Sequence, residues 1–145
     1  MIVYIAAFKE VRSIKIPIRS EKEDVKAFLE ELKEVLGSED FDIDDNLYII
    51  KSSKNEIEYS TDYTLVDLDY DSYDVVERLK ELTLSDYSET LFDKDNDEPP
   101  LLFVFGKDIN SKLVYIKLKI KGKNKKRILC LSFHYAKHDM VFPYN

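Results

Sequence analysis

The residues best suited to chemistry lie near the end of the chain, in two segments with strand-like alternation. Tyr115 and Lys117 occupy alternate positions of the segment 112–121, and Ser132 and His134 do so in the next such segment. Alternate side chains of a strand share one face, so a hairpin of the two segments can place all four side by side. Histidine and tyrosine can transfer protons, and lysine can stabilise negative charge, so this face is a candidate for acid–base catalysis.

Such a face suits cleavage of RNA without a metal ion. In that reaction the substrate's own 2′-hydroxyl attacks the phosphorus, and the enzyme supplies a general base, a general acid and positive charge. Tyrosine rings can also stack on unpaired bases. The predicted contacts to RNA are Lys107, Lys119, Lys121, Arg127 and Ser132. The alternative is that the lysines form the ordinary solvent-exposed side of a sheet and that His134 is a hydrogen-bonded structural residue.

The charge of the chain is divided unevenly, although its net value is −7. Residues 1–106 carry 12 Lys and Arg against 27 Asp and Glu, whereas residues 107–145 carry 10 against 2. A local basic field attracts phosphate even on an acidic protein, so the C-terminal third is compatible with an RNA partner. The alternative is that the acidic part of the chain simply neutralises a basic sheet.

Several classes of protein are disfavoured by composition. A single cysteine, Cys130, excludes a disulfide framework and is expected to be a small core residue. The acidic runs 40–45 and 93–98 lack the glycine of a calcium loop, so we expect solvated loops, no metal site and no cofactor. No apolar run is long enough to span a membrane and no signal sequence is evident, so we expect a mature cytoplasmic chain. The length of 145 residues fits one domain, 1–145.

Periodicity predicts the elements that must position this face. Helices are expected where apolar residues recur every three or four positions, and strands where they alternate. Ser20 is the expected N-cap of the first helix, and Gly37 its end. The predicted helices are 21–36, 72–82 and a short one after Ser85; the predicted strands are 14–18, a hairpin of 47–51 with 56–60, then 101–105, 112–121 and 127–135. Helices followed by an antiparallel meander indicate the α+β class.

Four segments, in this order, resemble the MqsR family of toxins from toxin–antitoxin systems. They are LTLSDY (82–87), FVFGK (103–107), VYIKLKI (114–120) and LCLSFH (129–134), within a resemblance that covers about residues 65–143. The helix 21–36 is similar to the N-terminal helix of the longer members. The resemblance implies a RelE-like fold, with two to three helices on one face of a small antiparallel sheet. It also implies a metal-independent endoribonuclease acting on single-stranded mRNA, with an antitoxin protein as partner.

The resemblance extends to individual site residues. Tyr115 and Lys117 match the tyrosine and lysine of the family's strand, and His134 stands where the family has a catalytic lysine. Glu89 replaces a second catalytic lysine and becomes a candidate general base, while a catalytic glutamine falls near Leu102. The predicted catalytic set is therefore Tyr115, Lys117, Glu89 and His134. Because two family positions differ, a RelE-like module that binds protein or RNA without catalysis is the alternative.

Overall fold

A computed structural model of the chain describes residues 17–51, 56–92 and 101–145, in which four helices accompany a mixed five-stranded sheet. This arrangement confirms the α+β class. The helices are α1 (Lys22–Gly37), α2 (Ile43–Asn46), α3 (Thr61–Leu68) and α4 (Ser72–Lys80). The strands are β1 (Leu47–Ile49), β2 (Tyr87–Phe92), β3 (Leu101–Ile109), β4 (Lys112–Lys121) and β5 (Arg127–Tyr135).

The strands lie in the order β1-β5-β4-β3-β2. From β5 to β2 the neighbours are antiparallel, as a meander requires, but β1 runs parallel to β5. The expectation of a wholly antiparallel sheet is therefore wrong. The predicted hairpin of 47–51 with 56–60 is wrong too, because β1 pairs with a strand far later in the chain and Ile57–Tyr59 forms a 3₁₀ turn.

The main hydrophobic core lies between the helices and one face of the sheet. The apolar stripe predicted for α1 is buried there, and the ring of Phe28 stacks on that of Phe103 with centroids 4.2 Å apart. Each fully buried apolar side chain of this kind contributes about 1.5–3 kcal/mol. Helix α4 buries Val75, Val76 and Leu79, as its spacing predicts. This packing occupies one face, and we call the opposite face of the sheet the outer face.

Three local predictions are corrected by the structure. Ser20 is not an N-cap: Glu21 holds that position without a side-chain bond, and the Ser20 hydroxyl is buried against Thr90 at 2.7 Å. The short helix expected after Ser85 is a single 3₁₀ turn that leads into β2, because the fully buried Tyr87 must pair with β3. Residues 38–46, expected to be a loop, include the helical turn α2, whose first turn is capped by Asp42.

Parts of the predicted elements lie outside the described residues, namely 14–16 of the first strand and the acidic run 93–98. At Ile18 the chain makes an antiparallel bridge to Thr90, with both N–H···O distances at 2.8 Å. None of the helices in the described ranges is both long and apolar enough to cross a bilayer.

Candidate active site

The outer face brings together the four residues predicted to be catalytic. Tyr115 pairs directly with His134 across β4 and β5, and Lys117 pairs with Ser132. The predicted pairing of these strands is therefore confirmed. Glu89 lies on β2 in the same row as Lys117, separated from it only by one residue of β3. Three strands thus place two proton-transfer groups beside a cation and a carboxylate.

A β-bulge in β5 decides which of its side chains join this face. Lys117 pairs with Ser132 but Leu118 pairs with Cys130, so Leu131 is an extra residue. Strict alternation would place Cys130 and Ser132 on the same face, and the bulge separates them. The extra residue turns Cys130 into the core and leaves Ser132 and His134 outside. Burial raises the pKa of the Cys130 thiol to about 12, which keeps it in the unreactive neutral form.

The imidazole of His134 is held in one tautomer. Its Nδ1 lies 2.9 Å from the carbonyl oxygen of Tyr135. A carbonyl oxygen only accepts hydrogen bonds, so Nδ1 carries the proton and the basic lone pair is on Nε2. Burial lowers the pKa of His134 below its ordinary value; the bond to Tyr135 opposes this, and the positive charge of Lys117 adds to it. The ring is therefore mainly neutral at pH 7 and able to accept a proton.

Tyr115, in contrast to His134, is a proton donor at neutral pH. Its ring stacks on His134, with centroids 5.2 Å apart and planes 13° from parallel. Burial and the nearby charge of Glu89 raise its pKa to about 12, so the phenol remains a proton donor at neutral pH. Burial also raises the pKa of Glu89, while the charge of Lys117 opposes that shift. The stacked pair thus combines a neutral base with a protonated acid, as general acid–base catalysis requires.

Helix α3, which sequence reasoning missed, fixes the end of β5 that carries His134. The Thr61 hydroxyl accepts the N–H of Phe133 at 3.2 Å, and the Thr64 hydroxyl accepts that of Tyr135 at 3.0 Å. These threonines replace a neighbouring strand where β1 has ended. The available sequence signal was Ser60, which caps the helix by accepting the N–H of Tyr63.

The predicted RNA contacts are not gathered in one exposed strip. Lys107 faces the helices and pairs with Glu81 at 3.6 Å, because its position in β3 has the parity of the core residues. Lys119 is on the outer face but only 1% exposed. Lys121 and Arg127 are cross-strand neighbours at the far end of the hairpin, and Arg127 is exposed. The basic strip expected from alternation is therefore interrupted.

The C-terminal segment, residues 136–145, crosses the outer face beside the site. Gly106 lacks a side chain there, and a β-carbon in its place would lie 2.8 Å from the ring of Phe142 and 3.0 Å from the sulfur of Met140. The Ser88 hydroxyl donates to the carbonyl oxygen of Val141 at 2.8 Å. Tyr144 anchors the end by donating to the carbonyl of Ser20 at 2.6 Å. This segment forms a wall on the β2–β3 side of the site.

Under this wall the outer face is apolar. Leu91, Leu102 and Val104 form a second buried cluster, against which Met140 packs. The position near which the MqsR resemblance places a glutamine is thus a fully buried leucine, Leu102.

No group of three or more metal-ligating side chains occurs within residues 17–51, 56–92 and 101–145. In the first acidic run, Asp42 caps α2 and Asp45 pairs with Lys125 at 3.5 Å. The second run, 93–98, lies outside the described residues. His138 is exposed in the C-terminal segment.

Comparisons of the chain with protein-family models, curated proteins and solved structures gave no match. The MqsR resemblance therefore stays a prediction.

Proposed function

We propose that this protein is a metal-independent endoribonuclease of the RelE-like type, the toxin of a toxin–antitoxin pair acting on mRNA in the cytoplasm. The observation that carries the proposal is the stacked pair of His134, with its proton on Nδ1, and the protonated Tyr115. Lys117 lies next to this pair on the same strand face. These are the base, acid and cation that cleavage by a 2′-hydroxyl needs.

In the proposed reaction His134 Nε2 takes the proton of the 2′-hydroxyl as O2′ bonds to phosphorus. The P–O5′ bond then breaks, and Tyr115 gives its proton to the leaving oxygen. An alkoxide is a stronger base than tyrosinate, so this transfer is downhill even from a phenol with a raised pKa. The imidazolium then releases its proton to water and the tyrosinate takes one from water, which restores both groups. Lys117 stabilises the charge on the phosphate oxygens, and Glu89 orients that lysine or serves as a second base.

The test is cleavage of a 5′-labelled single-stranded RNA, with products analysed for a 2′,3′-cyclic phosphate. His134→Ala and Tyr115→Phe should each lower the rate by about 10²-fold or more. His138→Ala is the matched control, because it removes the exposed histidine of the C-terminal segment. Induced expression should arrest growth for the wild type and the control only. Cleavage that survives both site substitutions in folded protein would place the chemistry elsewhere.

A second candidate, a non-catalytic module that binds RNA or protein, is favoured by the low exposure of the site. His134 is 8% exposed and Ser132 7%. RNA binding without cleavage, weakened by Lys121→Glu with Arg127→Glu, would support this candidate. Rates that fall in the His134 and Tyr115 variants while affinity is unchanged would support the nuclease.

A further inference from the structure

A groove lies at the β1 edge of the sheet, on the helix-covered side and not on the outer face that carries the candidate active site. It encloses about 600 Å³ between β1, α2 and α3 and reaches the start of α4. Its apolar lining comprises Ile43, Leu47, Ile49, Leu65, Val66 and Tyr70. Val66, on the solvent side of α3, is 81% exposed. The groove thus presents apolar surface to solvent.

The rim of this groove is acidic. Among the described residues, Asp44, Asp62, Asp69 and Asp71 line it against one cation, Lys51, which pairs with Asp62 at 3.4 Å. Asp71 also caps α4 by accepting the N–H of Asp74. Within the described residues, Asp44 and Asp69 form no ion pair, so their charges add to the negative field over the apolar lining.

The combination of apolar lining and acidic rim continues beyond α2. Ile43 and Asp44 also line an adjoining depression of about 560 Å³ that contains Tyr73, which is 66% exposed. In the part of the chain that the structure describes, its carboxylates are Asp42, Asp44 and Glu77, and its one lysine, Lys80, pairs with Glu77 at 3.5 Å. The two depressions form one continuous surface, which we call the acidic groove.

We propose that the acidic groove docks a segment of a partner protein in which apolar side chains alternate with lysine or arginine. Apolar side chains would cover Val66, Ile49 and their neighbours, and the flanking cations would meet Asp44 and Asp69. The charge selects this occupant: a neutral apolar segment leaves the carboxylates desolvated without partners, and an acidic one is repelled. The proposal does not depend on the nuclease, because none of its residues lies on the outer face.

The proposal is tested by fluorescence anisotropy with a labelled short peptide of alternating lysine and leucine, titrated with the 145-residue chain. Two further peptides of equal length separate the effect of charge from that of apolar contact. One alternates lysine with serine, and the other alternates glutamate with leucine. Val66→Ser, and Asp44→Asn with Asp69→Asn, should each weaken binding of the lysine–leucine peptide about tenfold or more. Asparagine tolerates the left-handed backbone that Asp69 adopts at φ 57°, so the second variant keeps the fold.

The matched controls are Ile57→Ser and Asp108→Asn, which change an exposed apolar residue and an exposed carboxylate outside the groove. Loss of affinity confined to the groove variants, with weak binding of both other probes, supports the proposal. If the lysine–serine peptide binds as tightly as the lysine–leucine peptide, or if the control variants lose as much affinity as the groove variants, the binding is general charge attraction. Either result would overturn the proposal. Absence of binding would overturn it as well. Self-association of the wild type that Asp44→Asn with Asp69→Asn removes would assign the groove to a second copy instead.

Discussion

The protonation state of His134 offers the most direct test of the acid–base site. An imidazole with the ordinary pKa of 6.5 would be about three-quarters neutral at pH 7, and burial lowers the pKa of His134 from that value. Each unit of lowering raises the ratio of neutral to charged ring tenfold. We therefore expect His134 to titrate below pH 6.5 and the neutral base to predominate at pH 7.

The assay is a pH titration of the imidazole C–H resonances by NMR. The chain has two histidines, so His138→Gln leaves one signal and assigns it. Lys117→Gln removes a positive charge that lowers the pKa of His134, so the pKa should rise; it should stay below 6.5 because burial is the larger cause. A wild-type His134 that titrates at or above 6.5 would refute the claim that a buried, neutral imidazole serves as the base.

The same shift has a consequence for stability. When the folded-state pKa of a histidine lies below its unfolded value, the unfolded chain binds more protons between the two values. The free energy of unfolding should therefore fall as the pH drops below 6.5, and level off below the folded-state pKa. One proton limits the contribution of His134 to the slope to about 1.4 kcal/mol per pH unit. Urea unfolding of the wild type and of His134→Gln, measured at several pH values, isolates that contribution.

Three further substitutions test the structure around the site. Tyr87→Phe removes a buried hydroxyl that accepts the N–H of Ser20 at 2.9 Å and forms a hydrogen bond of 2.6 Å with the Thr90 hydroxyl. Urea unfolding should show that the free energy of unfolding falls by about 1–3 kcal/mol. The control Tyr48→Phe, at an exposed tyrosine, should show no loss. Thr64→Val leaves the N–H of Tyr135 without its acceptor and should cost a similar amount while speeding amide exchange at the end of β5; unchanged exchange would contradict the role of α3. Gly122→Ala should cost more than about 1 kcal/mol in the same unfolding assay, because φ is +100° and the added β-carbon would lie 2.2 Å from the carbonyl oxygen of Lys125.

The parts of the fold that the sequence predicted best are those with local, repeated patterns. The strands β4 and β5 have the predicted bounds, 112–121 and 127–135, because alternation over nine or ten residues is a strong signal. The apolar stripe of α1 is equally clear. The shared face of Tyr115, Lys117, Ser132 and His134 was predicted from alternation and a hairpin, but the direct pairing of Tyr115 with His134 also needs the bulge at Leu131.

The features that escaped prediction depend on contacts between distant parts of the chain. β1 has only three residues, and its parallel partner β5 lies far along the sequence. Helix α3 is short and contains two buried threonines, whose hydroxyls are needed only because β5 loses its neighbour there. The strand β2 was missed, and a short helix was expected after Ser85 instead, because the strand is defined by its pairing with β3. None of these causes leaves a periodic signal.

The bulge at Leu131 connects the fold to the chemistry. The core needs Ile128, Cys130, Phe133 and Tyr135 on the helix side, and these residues do not share one parity. One extra residue, Leu131, lets the side chains before and after it both face the core, and it lies immediately before Ser132. Ser132 and His134 therefore face outward beside Lys117 and Tyr115 because the core fixes Phe133 and Tyr135 inward. Since bulges concentrate where strands must re-aim side chains, this irregularity is an argument for function that depends on no resemblance.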